Sequence, residues 1–567
     1  DWIVRYMTEN TLGRMYCDSH LNSESKNEYK YYVESTSNDV NKIKCSAESI
    51  KFIEPCCGSG HILVYAFDLL YKFYLEEGYA SKDIPALILK NNLYGLDIDK
   101  RAAQLAKFSL VMKARSCDNR FFNKDRFVSP NVFEIKDSQI LYKCDYVNAM
   151  ENLGFSKMGK SLAIDLITSF KDAKTIGSLL QLRNIDYSPL ESDIQKCKTT
   201  GTPGIYEQDF YHIGLPLLED LIMLAKVLSS KYDVMVTNPP YLSENLLDNI
   251  TKNYLIDKFY CARHDMYTAF MVQSKFFVKE YGYIGMVTQH YFMYLQSFKD
   301  LREQFTFNFL SLIDLGPRAF PEISGDVVQT ATFTFRNIKN KNKAKFFDLR
   351  EIGTSKEKEL YFLNNKNKYY EKNEADFASY PNHVFAFNCS KKLDEIITSG
   401  QSINDLFAPK AGVCTGNDPY FIRYWFEPSF ECKKSSNSIT QFPKYALFSK
   451  GGSGKYFSGN IDYVIKLNDL YNPRLTSKSV RRGDKDVYFR RGISWSQMGG
   501  GLNKRFYLIE DCVCGTSSPS IYPKNIKASE QLLYCLAFLN SNVSKNILRI
   551  LSPTTLSVLS SDIASLP

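Results

Sequence analysis

Three short stretches of this chain carry residues whose types and spacing could do chemistry. The first closes an apolar run, Tyr232-Asp233-Val234-Met235-Val236-Thr237, with Asn238-Pro239-Pro240-Tyr241. The Asn238 carboxamide oxygen and the Pro239 carbonyl can each accept a hydrogen bond from one amino group. Consecutive prolines fix φ and remove backbone donors, so the turn is rigid and rich in acceptors. Tyr241 adds a flat face on which a planar ring can stack. Such a set suits an exocyclic NH2 group on a planar substrate. The plain alternative is a strand ending in a Pro-Pro turn.

The second stretch is Glu54-Pro55-Cys56-Cys57-Gly58-Ser59-Gly60, followed by a long amphipathic pattern from His61 to Glu77. A glycine-rich turn between strand and helix lets backbone amides approach a ligand, with the helix N-terminus near a negative group. Glu54, with Pro55 and Cys56 beside it, stands where a ligand's ammonium would arrive. Gly58 and Gly60 permit the close approach. The spacing is neither GxGxxG nor a P-loop. The third stretch, Asp97-Ile98-Asp99, ends a second strand. An acid at that tip binds ribose hydroxyls in α/β nucleotide sites, which selects Asp97 with Ile98 beside it. Asp99 reads as the N-cap of the next helix. Together the loop and the acid predict a cofactor that contains a nucleoside.

The elements that must position these residues alternate strand and helix. Strands are expected at 51–53, 92–96, 232–237, 283–288, 309–315 and 328–335. Helices are expected at 61–77, 101–115 and Met266–Tyr281. Alternation implies right-handed crossovers and a mostly parallel sheet, an α/β class of Rossmann-like type. Residues 118–215 read as a polar, irregular insertion. Beyond about 400 the chain changes to short aromatic strands and many glycines, a mixed α+β module. The expected domains are therefore 1–345, a connector over 346–400, and 401–567.

At 567 residues, with 44% hydrophobic and 23% charged, the chain is of ordinary globular composition and large enough for two or more domains. Fourteen cysteines lack zinc-knuckle spacing, and only six histidines are present, so no metal centre is expected. Reduced thiols and the absence of a long apolar run fit a cytoplasmic protein. The net charge of +9 is segregated. Residues 401–567 hold 21 Lys+Arg against 12 Asp+Glu, while the first 400 hold 50 of each. That is the footprint of a module facing nucleic acid. Arg481, Arg482, Arg490, Arg491, Lys504 and Arg505 interleave with Tyr488, Phe489, Trp495 and Phe506, a pattern suited to phosphate contacts with some base readout. Gly451–Lys455 reads as a flexible turn facing DNA.

The order of a Pro-Cys-Cys-Gly-Ser-Gly loop, a strand-two acid and an Asn-Pro-Pro-Tyr turn resembles the N6-adenine DNA methyltransferases, which use S-adenosylmethionine. Glu54 stands where that family usually has Asp. The resemblance extends to the PglX family of methyltransferases from BREX phage-defence systems. It is carried by Thr8–Arg14, residues 60–79, Tyr94–Arg115, Leu315–Thr330, Thr415–Asp418 and Gly492–Ser496. It implies that residues 54–60 and 97–98 bind the cofactor and that Asn238–Tyr241 hold a flipped adenine from duplex DNA. It also implies that the first residues close a motif over the cofactor and that other BREX proteins are partners. A further segment, Phe170–Ala173 followed by Gly177-Ser178-Leu179, offers Asp172 to the cofactor's adenine. Members of that family are about twice as long, so truncation at both ends is expected, the C-terminal module being incomplete. Three other readings remain: methylation of a protein glutamine or an RNA base, a DNA-binding specificity subunit without turnover, and the methyltransferase part of a fused restriction–modification enzyme.

Overall fold

The computed structural model describes all residues except 21–22, 35–44, 144, 201–202, 321–327, 339–342, 429–443, 452–456, 459, 476–477, 498–504 and 553–557. The chain divides into two compact units. The first comprises Asp1–Met293 and Ser297–Asp376, and the second Tyr294–Gln296 and Phe377–Pro567.

Among the described residues, the first unit is built on nine strands: β1 (Phe52–Glu54), β2 (Leu93–Asp97), β3 (Asn131–Glu134), β4 (Tyr232–Thr237), β5 (Val278–Gln289), β6 (Phe309–Gly316), β7 (Thr330–Arg336), β8 (Lys343–Asp348) and β9 (Tyr370–Asn373). Their order is β3-β2-β1-β4-β5-β7-β6-β8-β9. Strands β3 to β5 are parallel, and β7 runs antiparallel between β5 and β6. All six residues of β4 are buried, as a strand covered on both faces requires. The chain runs outward from β1 through β2 to β3, then returns to β4 on the other side of β1. The order therefore reverses between β1 and β4, and a crevice opens at their carboxyl ends. Glu54 is the last residue of β1, and Asn238 follows the last residue of β4.

Helix His61–Glu76 buries Ile62, Leu63, Ala66, Phe67, Leu70 and Phe73 along one face. Helix Lys100–Cys117 buries only Ala103, Ala106, Leu110 and Ala114, so small residues bring it close to its neighbours. Asp99 caps that helix as expected, its carboxylate accepting from the N–H groups of Arg101 (2.6 Å) and Ala102 (3.1 Å). Those two bonds, Ala102's first, hold its carboxyl below the ordinary range.

Three expectations need correction. Helix Met266–Phe277 stops four residues before Tyr281, because Val278 turns extended and opens β5. Residues 118–215 are not irregular. They supply β3 and the helices Tyr146–Asn152, Lys157–Ser169, Ala173–Ile176 and Ser188–Thr200. Leu162, Ala163, Leu166 and Ile167 form the buried stripe of Lys157–Ser169, a pattern spread thinly among polar residues. Nor are residues 346–376 a connector: β8 and β9 extend the first unit's sheet, with helix Ser355–Asn364 between them. Lys358, buried in that helix, donates to the carbonyls of Leu349 (2.8 Å) and Ile352 (2.5 Å).

The second unit holds two four-stranded sheets. One is built from β10 (Phe407–Lys410), β14 (Gly492–Ser494), β15 (Tyr507–Ile509) and β17 (Ser520–Pro523). The other contains β11 (Ile422–Tyr424), β12 (Ala446–Ser449), β13 (Tyr463–Ile465) and β16 (Cys512–Cys514). Trp495 follows β14 and is 0% exposed. Its indole N–H donates to the Val558 carbonyl at 2.9 Å, and its ring lies 5.5 Å from Phe506. It is a core residue, which removes it from the expected DNA contacts. Trp495→Ala is expected to destabilise this unit by ~3–5 kcal/mol, the cost of emptying a large core site. Chemical denaturation followed by circular dichroism measures it. An unchanged unfolding free energy would return Trp495 to the surface.

Candidate active site

The glycine-rich turn is shaped by its backbone. Gly58 has φ +50° and Gly60 φ +85°, a region that disfavours side chains. A Cβ on Gly60 would lie 3.0 Å from the Cβ and 3.1 Å from the Cα of Ala106, in the closely packed helix Lys100–Cys117. Gly60→Ala therefore combines backbone strain with overpacking and is expected to cost roughly 2–4 kcal/mol. A thermal melt should read it as a lowered Tm; an unchanged Tm would contradict the packing.

Three bonds fix the turn against neighbouring elements and a fourth closes it on itself. Cys57 N–H donates to the Leu96 carbonyl (2.9 Å), and Gly58 N–H to Asp97 Oδ2 (2.8 Å). Gly60 N–H closes on Cys57 O (2.8 Å), while Ser178 Oγ–H donates to Pro55 O (2.6 Å). The Cys56 and Cys57 thiols are pushed up by burial, so both stay neutral and neither is an activated nucleophile.

Glu54 is 3% exposed, and its Oε2 has no hydrogen-bond partner. Burial pushes its carboxyl well above the ordinary range and the Asp97 charge adds to the shift, opposed by the Leu63 N–H. It lines a cavity of 590 Å³. An orphaned buried carboxylate oxygen facing a cavity calls for a cationic donor, and the ammonium of an amino-acid moiety fits it. Trp2, Ile3, Val4 and Met7 of helix Trp2–Thr8 supply the opposite apolar wall, as does Phe320.

A second cavity, of 310 Å³, lies over the tips of β2 and β4. Asp97 is on its wall, its Oδ1 accepting from Asp99 N–H at 2.8 Å. Ile98, 49% exposed, faces the same space with Ile176, Pro240, Met266 and Phe270, a slot suited to a flat ring. Asp172 is not among the lining residues. It precedes helix Ala173–Ile176, and its Oδ1 accepts from Gln139 Nε2 at 3.4 Å. The wall comes instead from Thr175 to Ser178, three to six residues later. The Gly177-Ser178 pair following Asp172 was the available signal.

Asn238 is exposed and lines both cavities, together with Cys56 and Gly58. Pro239 is buried and Pro240 half-buried. Tyr241 is on neither wall: its O–H reaches Asn238 Oδ1 at 2.9 Å and the Val287 carbonyl at 3.2 Å, with its ring edge-on to Tyr267. The ring expected to stack on a substrate thus holds the Asn238 carboxamide instead. One lone pair of that oxygen is left for a second donor. Beyond it, Asp265 accepts from Leu242 N–H (3.1 Å), and burial pushes its carboxyl up to about 6.

In the second unit, the expected arginines divide. Arg481, Arg491 and Arg505 are exposed, with Arg491 3.4 Å from Glu510 and Arg505 over the Phe457 ring. Arg482 donates to the Leu470 carbonyl (3.0 Å) and Arg490 to that of Pro523 (2.9 Å), so both also serve the fold. Lys504 and most of Gly451–Lys455 lie outside the described residues. The sequence reading passed over Tyr424, Trp425 and Phe426. All three are exposed, with the rings of Tyr424 and Phe426 stacked at 5.4 Å.

Comparison with known proteins decides the family. The family model for the Eco57I restriction-modification methylase matches residues 91–320, and that for the MmeI DNA-methyltransferase domain matches 29–151. The adenine-specific methyltransferase PglX of Lacticaseibacillus casei (strain Zhang) is 30% identical over 98% of this chain and 48% of its own length. The chain belongs to the adenine-specific methyltransferase family of PglX. BrxX of Escherichia coli O9:H4 (strain HS), also an adenine-specific methyltransferase, is 30% identical over 88% of this chain and 43% of its own length. The chain spans about half the length of these curated relatives. Among solved structures, a nuclease-deletion mutant of the Type ISP restriction-modification enzyme LlaGI superposes with a TM-score of 0.51 at 12% identity, over 92% of this chain and 41% of that one. LlaBIII, another Type ISP enzyme, gives 0.51 at 10%, over 98% and 38%. These likenesses establish a shared Rossmann-like fold. Cys56, Gly58 and Asn238 are common to the walls of both cavities.

Proposed function

We propose that the protein containing this chain is a site-specific DNA methyltransferase that modifies N6 of adenine, using S-adenosylmethionine. The observation that carries the reading is the placement of Glu54, with its unpaired carboxylate oxygen, and Asn238 on one cavity wall. Glu54 receives the cofactor's ammonium. Asp97 meets the ribose hydroxyls, Ile98 lies against the base, and the Pro55–Gly60 turn shapes the backbone around them. When bound, S-adenosylmethionine supplies an electrophilic methyl group.

The target amino group is buried in the base stack of duplex DNA, so the adenine must be extruded, at a cost of a few kcal/mol. Asn238 Oδ1 and the Pro239 carbonyl then accept its two hydrogens, turning the nitrogen lone pair out of ring conjugation. Pro240 keeps that turn rigid. Tyr241 holds the carboxamide with its oxygen facing the pocket, and stacks on the adenine if its hydroxyl lets go. Positioned acceptors supply the catalysis without a strong base. The first unit is the catalytic domain. The second, with its excess of positive charge, reads the DNA, Arg481, Arg491 and Arg505 reaching phosphates. The role is BREX-type phage defence alongside other BREX proteins.

Single-molecule sequencing of DNA from cells expressing the full-length protein tests this. Methyladenine at one sequence motif is the expected result. DNA that is bound but left unmodified would instead favour a specificity subunit without turnover.

A further inference from the structure

The segment after Asn238–Tyr241 is clasped by backbone hydrogen bonds while its tip presents Leu246 to solvent. Ser243 bridges Asp265 in antiparallel fashion, Glu244 N–H donates to His264 O (3.0 Å), and Met266 N–H donates to Leu242 O (3.0 Å). The His264 ring meets the Glu244 carboxylate at 2.7 Å. Leu246 N–H closes a turn on Ser243 O (2.9 Å), and Asp248 caps the helix Asn249–Lys258 that follows. Leu247 is buried and anchors the turn, whereas Leu246 at its tip is 73% exposed. Leu242 and Ile250 are partly exposed beside it, at 39% and 45%. A turn so clasped does not collapse to hide its leucine.

Leu246 is five positions beyond Tyr241, so its backbone lies within about 17 Å of the amine-holding turn even if that stretch were straight. The closed turn shortens the reach. Extruding a base leaves a gap in the stack, and proteins that unstack DNA fill such gaps with Leu, Ile, Met or Phe wedges. We propose that Leu246 is the wedge that enters the base stack when the target adenine leaves it. The inference rests on the adenine-methyltransferase reading above and deepens it with a residue that acts on the DNA rather than on the reacting atoms. The rigid clasp is what allows insertion, since a floppy loop would fold back rather than push.

The test compares the full-length wild type with Leu246→Ala and Leu246→Met on two duplexes carrying the motif that sequencing identifies. In one the target adenine is paired; in the other it faces an abasic site and is already loose. Leu246→Ala is expected to methylate the paired duplex roughly tenfold or more slowly, and the loosened duplex at the wild-type rate. Leu246→Met should keep most of the paired-duplex rate. Equal rates of Leu246→Ala and wild type on paired DNA would overturn the wedge. So would an equal loss on both duplexes, which would mark a structural or protein-docking role. If the wild type methylates neither duplex, the adenine reading itself fails, which is a different result.

Discussion

Asn238→Ala is expected to slow adenine methylation by about 10²- to 10³-fold while leaving DNA binding and folding intact. The side chain is exposed and its hydrogen bond is made with Tyr241 alone among the described contacts, so truncation removes little packing. What is lost is one of the two acceptors proposed to hold the amine. Losing one preorganised polar partner at a reacting centre costs about 10²- to 10³-fold in rate. Single-turnover methylation, with binding measured in parallel on the same DNA, separates the rate from the affinity. A variant within a few-fold of the wild-type rate would remove Asn238 from the chemistry.

Glu54→Gln should act in two opposite directions. The buried carboxyl is pushed well above its ordinary value, so the folded, cofactor-free protein holds a proton that the unfolded chain releases. The stability this gives is full below the unfolded-state value and disappears as pH rises through the folded-state value. At neutral pH the variant, which has neither a proton to take up nor a charge to bury on folding, should therefore melt at a higher temperature than the cofactor-free wild type. Its affinity for S-adenosylmethionine should fall by roughly 2–5 kcal/mol, because the ammonium loses a buried charged partner. Wild-type affinity should also weaken as pH drops below the folded-state value, and the variant should lack that slope. Calorimetric titration across pH, with melts of the cofactor-free protein, reads both effects. A variant that binds as tightly as wild type would place the ammonium elsewhere.

The strand carrying Asn238 is legible in the sequence because a β-branched apolar run ends at two prolines, and β4 spans the expected 232–237. Glu54 and Asp97 are legible because a glycine turn and an acid mark two strand tips, with Asp99 capping the helix. Trp495 was misread for a physical reason. An aromatic among arginines is compatible both with a DNA-facing surface and with a core under a charged skin, and only three-dimensional packing separates the two. The same applies to residues 346–376, where charged residues conceal strands whose partners lie far away in sequence. Thr175–Ser178 reach the 310 Å³ cavity through tertiary folding of helices that local pattern does not orient. The clasp around Leu246 joins residues some twenty positions apart and leaves no local signature.

The Asp97 carboxylate accepts from the Gly58 and Asp99 N–H groups, so the second strand holds the first turn in place. The conformational entropy of that turn is thus surrendered when the chain folds, rather than when a cofactor arrives. Binding to such a turn should carry a smaller entropic penalty than binding to a loose one, since preorganisation raises affinity by removing the cost of ordering. The strand-two acid is in that sense a setting for the glycines, beside the ribose contact proposed for it. A substitution there is expected to weaken cofactor binding through the cost of ordering the turn, in addition to any contact it removes.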